Sequence, residues 1–249
     1  MTRVTSTLVI LLVLTALPAL AACGREQTTT GDAKLLMMGN ENMAFLEIVV
    51  GSPTGFSADL ATEIAHRLGR TLEVSIEPFP ELFPRLKDGE CDIVRSAVSI
   101  TPERQAEVDF SDPYFASGQA LLVPIDSRIA GAADLRGKSV GVLKDSTNQQ
   151  EAECIQGIKE IVPFESKEPV FEALAAGKLD AVICDTPFAQ YNAKATGKTR
   201  VAEELTRGDT YGIAVKKGDS ELVSRINEAL AGIDQDGAYD RLYEKHFGM

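Results

Sequence analysis

The chain is poor in the residues that build metal centres. Its 249 residues include two histidines and four cysteines. His66 and His246 fall far apart in helical sequence, and no two cysteines show CxxC spacing, so a Cys/His metal site has little to stand on. Neither metal nor cofactor is expected. Apart from Cys23 the cysteines are Cys91, Cys154 and Cys184, an odd set that allows at most one disulfide. Positive charge is also scarce, with 25 Lys and Arg against 37 Asp and Glu. Setting residues 1–22 aside removes one Arg and leaves 24 against 37, a formal −13. That excludes a phosphate-binding surface for nucleic acid and a polybasic membrane patch. Long apolar runs are missing after Cys23, so no membrane-spanning segment is expected there.

What the sequence does have begins with a targeting pattern. Met1, Thr2 and Arg3 make a weakly basic start, and Leu8 to Leu20 is apolar but shorter than the ~20 residues that span a bilayer. Residues 1–22 therefore read as a leader outside the fold. Leu20-Ala-Ala-Cys23-Gly24 resembles the bacterial lipobox, in which the Cys is lipid-modified and becomes the mature N-terminus. Residues 23–32 are small and polar, a flexible tether able to hold the domain ~30 Å off a membrane at 3.3–3.6 Å per residue. An extracytoplasmic protein anchored through Cys23 is expected.

The body alternates short apolar runs with amphipathic segments, the pattern of βα units. Strands are expected at Lys34 to Met38, Leu72 to Ile76 and Cys91 to Ser96, with helices at Asp59 to Leu68 and Leu82 to Lys87. A second half repeats the logic: strand Ser139 to Leu143, helix Thr147 to Ile158, strand Ile161 to Phe164, helix Glu168 to Ala176 stopped by Gly177, and strand Ala181 to Cys184. A strand from Tyr211 to Lys216 and helices Ser220 to Ile233 and Ala238 to Phe247 close the chain. Two α/β lobes follow.

Two strand ends carry charge. Thr101 suits an N-cap, Pro102 the first helical position and Glu103 the first turn, so a helix starts where open α/β sheets bind ligands. Its free N–H groups and the planar fork of Arg104 would seat a carboxylate; the alternative is that Arg104 pairs with Glu103 or Asp109 on a solvated face. Asp185 ends the strand at Cys184 and either caps the following helix or meets a cation in a cleft. In Lys144-Asp-Ser-Thr-Asn-Gln149, Ser146 and Gln149 fit a capping box whose N–H groups would face an anion from the second lobe.

At this point the residues resemble the polar amino-acid-binding proteins of ABC importers, the bacterial family-3 extracellular solute-binding proteins. The likeness rests on Gly55-Phe-Ser-Ala-Asp-Leu60, Leu86-Lys-Asp-Gly-Glu-Cys-Asp92, Ser99-Ile-Thr-Pro-Glu-Arg104 with Asp109-Phe-Ser-Asp-Pro-Tyr114, Gly177 through Pro187, and Gly237 through Gly248. It implies the type II periplasmic-binding fold, two lobes joined by a two-strand hinge with the cleft between them. Lobe one would comprise residues 33–121 and 212–249, and lobe two residues 122–211, with crossings near Leu121–Val123 and Tyr211–Ala214. It further implies that Arg104, helped by Ser99, clamps the ligand α-carboxylate, that Asp185 takes the α-ammonium, and that Thr147 beside Ser146 seals the carboxylate from lobe two.

For the ligand side chain the resemblance points to Phe79 as one aromatic wall with Met43 opposite it. Asn40 stands where binders of basic amino acids carry an acid, with Glu41 adjacent, so a polar neutral ligand is expected. Arg95 either reaches the pocket or sits in a structural ion pair, the second being favoured. Ala97 and Asp145 occupy positions where glycine is frequent. The expected function is delivery of a small amino acid to an ABC permease by ligand-gated lobe closure, as a monomer. Two alternatives stay open: a cyclohexadienyl or prephenate dehydratase-like enzyme on the same scaffold, and a ligand-sensing module, although the chain ends at Met249 with no kinase or channel appended.

Overall fold

The computed structural model describes residues 34–39 and 55–247. The leader, Cys23 and the tether lie outside the described residues.

The first half builds one mixed sheet. Strand β1 (Lys34–Gly39) runs parallel to β2 (Thr71–Ile76) and to β3 (Ile93–Val94). Helix α1 (Phe56–Arg67) links β1 to β2, burying Leu60, Ala61, Ile64 and Ala65 at the spacing of one helical face. Helix α2 (Phe79–Asp88) links β2 to β3; it starts after Pro78 and is stopped by Gly89 in the left-handed region. Helix α3 (Pro102–Glu107) then leads into β4 (Val108–Phe110).

A second mixed sheet forms around β5 (Phe115–Pro124), β6 (Ser139–Leu143), β7 (Glu160–Phe164), β8 (Ala181–Asp185) and β9 (Thr199–Tyr211), in the order β7-β6-β8-β5-β9. Its helices are α4 (Thr147–Cys154), α5 (Lys167–Ala175) and α6 (Thr186–Thr196). Helix α4 stops short of the expected Ile158 because Gly157 turns the chain in the left-handed region and Ile158 bridges to Arg136.

The chain then returns. Strand β10 (Ala214–Lys216) inserts antiparallel between β3 and β4, giving the first sheet the order β2-β1-β3-β10-β4. Helices α7 (Ser220–Gln235) and α8 (Ala238–Phe247) pack back on lobe one. Arg225 donates to the Leu68 carbonyl at 2.9 Å, and the rings of Phe56 and Phe247 lie 5.1 Å apart.

Two features of the connection between lobes differ from expectation. All of β5 belongs to the second sheet, so the chain leaves the first sheet between Phe110 and Phe115, ahead of Leu121–Val123. The reason is pairing: β5 runs antiparallel along both β8 and β9, and its register already begins at Phe115↔Tyr211. The stretch expected as one strand from Tyr211 to Lys216 is split, with Tyr211 ending β9 and β10 starting at Ala214. Between these, the N–H groups of Ser111 and Tyr114 donate to the carbonyls of Ile213 and Tyr211, each at 2.9 Å, so the two crossings form one hinge.

Candidate functional site

Arg104 is positioned by the cap at Thr101. The Thr101 hydroxyl accepts from the Arg104 N–H at 3.3 Å, Pro102 occupies the first turn, and the side chain folds back so that Nη1 donates to the Ser99 carbonyl at 3.0 Å. The guanidinium lies 5.5 Å from the Phe79 ring and 5.3 Å from the Phe83 ring. These contacts are cation–π in kind and fix its plane. Burial lowers its pKa while the charges of Asp185 and Glu103 oppose that; an arginine stays protonated regardless. Helix α3 has only six residues and spends the Arg104 N–H on its own cap, so positive charge here comes from the guanidinium.

Asp185 is the last residue of β8 and precedes Thr186 and Pro187 of α6. Its side chain makes no capping bond. It faces the cleft, where Oδ1 accepts from Asn148 Nδ2 and Oδ2 from the Tyr211 hydroxyl, both at 2.8 Å. The Tyr211 hydroxyl in turn accepts from Ser117 at 2.8 Å. Burial, then the Asp185 charge, push the Tyr211 phenol well above its ordinary pKa, so it remains a donor.

These groups meet across the lobes. One small cavity is lined by Phe79, Ser96, Ala97, Ser99 and Arg104 from lobe one and by Leu143, Ser146, Thr147, Asn148, Lys167 and Asp185 from lobe two. Phe79, one of its lining residues, donates its N–H to the Glu165 carbonyl at 3.2 Å, a direct bond between lobes. Ser146 caps α4, accepting from the Gln149 N–H at 3.4 Å, while the Gln149 side chain accepts from the Asp145 N–H at 3.0 Å. Ala97 and Asp145 both take positive φ, 50° and 56°, so each keeps the backbone path that glycine would give, at a steric cost of ~1–2 kcal/mol.

Seven of the expected contact residues thus line one cavity: Arg104, Asp185, Ser99, Thr147, Ala97, Phe79 and Ser146. Asn40, Glu41 and Met43 lie outside the described residues. Arg95 is not among the residues lining the cavity; it is buried, its guanidinium 4.5 Å over the Tyr114 ring and hydrogen-bonded to the Ser57 carbonyl. Three residues that sequence reading passed over belong to the site or its support: Lys167, Asn148 and Tyr211. Only Asn148 carried a signal, its place inside the capping loop.

A larger groove of about 770 Å³ runs beside the hinge between α6 and α8, lined by Phe115, Tyr191, Tyr243 and Phe247 among others. It shares no residue with the inter-lobe cavity, and neither Arg104 nor Asp185 lines it. Among the described residues there is no cluster suited to a metal ion and no helix long and apolar enough to cross a membrane. Cys91, Cys154 and Cys184 are all free thiols.

Comparison with known proteins shows the family and the fold. The lysine/arginine/ornithine-binding periplasmic protein of Escherichia coli K12 is 34% identical over 208 residues, covering 79% of this chain and 80% of its own length. The ABC transporter glutamine-binding protein GlnH of Bacillus subtilis is 34% identical over 199 residues, covering 78% and 73%. An ancestral arginine-binding protein solved with glutamine superposes with a TM-score of 0.82 at 36% identity, covering 87% of this chain and 99% of that one. These neighbours are type II periplasmic amino-acid-binding proteins, not enzymes, and the lyase alternative finds no support among them. The model of the bacterial extracellular solute-binding proteins, family 3, matches residues 38–249, and the chain belongs to that family.

Proposed function

We propose that this protein captures an α-amino acid outside the cytoplasm and presents it, by closure of its two lobes, to the permease of an ABC importer. The observation that carries the reading is the opposition of Arg104 and Asp185 across one cavity, a cation on lobe one facing a carboxylate on lobe two. A zwitterion satisfies both: its carboxylate meets the Arg104 fork, with Ser99 and Thr147 beside it, and its ammonium meets Asp185. Both sets of contacts are complete only when the lobes meet, so ligand binding favours the closed form. Membrane attachment through lipid on Cys23 and action as a monomer complete the proposal.

Isothermal titration of the purified protein with the twenty α-amino acids tests it. At least one is expected to bind tightly, and Arg104→Ala to abolish its binding while the melting curve stays cooperative. Absence of binding by every amino acid, or an unchanged affinity in Arg104→Ala, refutes it.

A further inference from the structure

We infer that Phe83 is a positioning residue for the carboxylate seat: its ring holds the Arg104 guanidinium ready for the ligand and away from the protein's own carboxylates. The inference rests on the reading that Arg104 meets the ligand α-carboxylate.

Phe79 and Phe83 stand four residues apart on α2, so both rings leave the same face of the helix. They meet edge to face, with centroids 6.2 Å apart and planes at 82°. The Arg104 guanidinium lies against both, 5.5 Å from the Phe79 ring and 5.3 Å from the Phe83 ring. The two rings differ in what else they touch. Phe79 lines the inter-lobe cavity, whereas Phe83 does not and is half-buried against the apolar cluster that includes Leu82, Leu86 and Val108.

A site built for a zwitterion carries opposite charges that attract each other. The charges of Asp185 and Glu103 both act on the Arg104 guanidinium. A direct pair between Arg104 and Asp185 would neutralise the two groups that the ligand is to meet. Among the described residues no such pair forms. Asp185 is held on one side by Asn148 and Tyr211, at 2.8 Å each, and Arg104 on the other by the Ser99 carbonyl and the two rings. One hydrogen bond leaves a guanidinium free to turn about it, so its plane is set by the rings. An aromatic face attracts the cation without neutralising it. The remaining N–H groups of the fork therefore stay available to a carboxylate, and Phe83 contributes to this without touching the ligand space.

Titrations with the tightest binder among the twenty α-amino acids and with its α-carboxamide, against the parent, Phe83→Leu and Phe83→Tyr, test the inference. Phe83→Leu keeps apolar bulk and loses the ring; it should weaken the amino acid ~3- to 30-fold, the span of one cation–π contact, and change its carboxamide by less than about twofold. Phe83→Tyr keeps the ring and should bind the amino acid within about twofold of the parent. A loss falling equally on the amino acid and its carboxamide, as misfolding or a purely structural role would give, overturns the inference. So does an amino-acid affinity that Phe83→Leu leaves unchanged or that Phe83→Tyr does not preserve. The zwitterion reading fails on different results, namely that no amino acid binds the parent or that the carboxamide binds it as tightly as the amino acid, and either result removes the inference with it.

Discussion

The Tyr211 hydroxyl donates to Asp185 Oδ2 at 2.8 Å, joining the last residue of the hinge strand β9 to the carboxylate at the rim of lobe two. Tyr211 is fully buried and its backbone also bonds Tyr114 and bridges Ser99 of lobe one. The hinge and the Asp185 carboxylate are therefore one hydrogen-bonded unit. Tyr211→Phe removes the phenol and leaves Asp185 with Asn148, which should weaken ligand binding about tenfold and cost ~1–2 kcal/mol of stability. Titration and thermal melts of the variant measure both; an affinity equal to that of the parent removes Tyr211 from the site.

Gly118 marks where β5 presses on β9. A Cβ there would lie 2.2 Å from the Thr206 carbonyl oxygen, a backbone atom that cannot turn aside. Gly118→Ala should cost about 2–3 kcal/mol as overpacking, lowering the melting temperature by ~4–12 °C for a chain of this size. A melting temperature within one degree of the parent would mean that β9 yields freely.

Acid stability should depend on Asp59. Burial would raise its carboxyl, but the hydrogen bonds and charges of Lys245 at 2.6 Å and His246 at 2.7 Å outweigh that and hold it below its ordinary value. A carboxyl depressed in the folded state adds stability that is full above its unfolded value, near pH 4, and is lost as pH falls further. Asp59→Asn should therefore lower stability by about 1 kcal/mol at pH 7 and flatten the loss below about pH 4. Urea melts from pH 3 to pH 7 report this, and parallel curves for parent and variant would assign the acid loss elsewhere.

How much of this was legible beforehand depended on how local each signal is. The turn at Arg104 was readable because Thr101 and Pro102 specify a helix start within four residues. Strands β6 and β8 were readable because they are buried along almost their whole length. Strand β9 was not. It is polar over most of its thirteen residues and lies at the sheet edge, so only its pairing with β5 reveals it. Lys167, Asn148 and Tyr211 escaped notice for a similar reason. Each reaches Asp185 or the shared cavity from a separate element, and nothing in the spacing of residues 148, 167, 185 and 211 announces their meeting. For Arg95 the sequence favoured a structural place over the pocket, and its guanidinium is buried against Tyr114 and the start of α1.

The two-point grip on a zwitterion is tested most directly by pairing ligand deletions with residue deletions. The amino acid found to bind is compared with its α-deaminated and its α-carboxamide analogues, each titrated against the parent, Arg104→Ala and Asp185→Asn. Both analogues should lose ~10- to 150-fold or more on the parent. The deaminated analogue should lose little further in Asp185→Asn, and the carboxamide little further in Arg104→Ala, because in each case the partner is already absent. A deaminated acid that binds the parent as tightly as the amino acid would contradict the assignment of Asp185, and a carboxamide that does so would contradict that of Arg104.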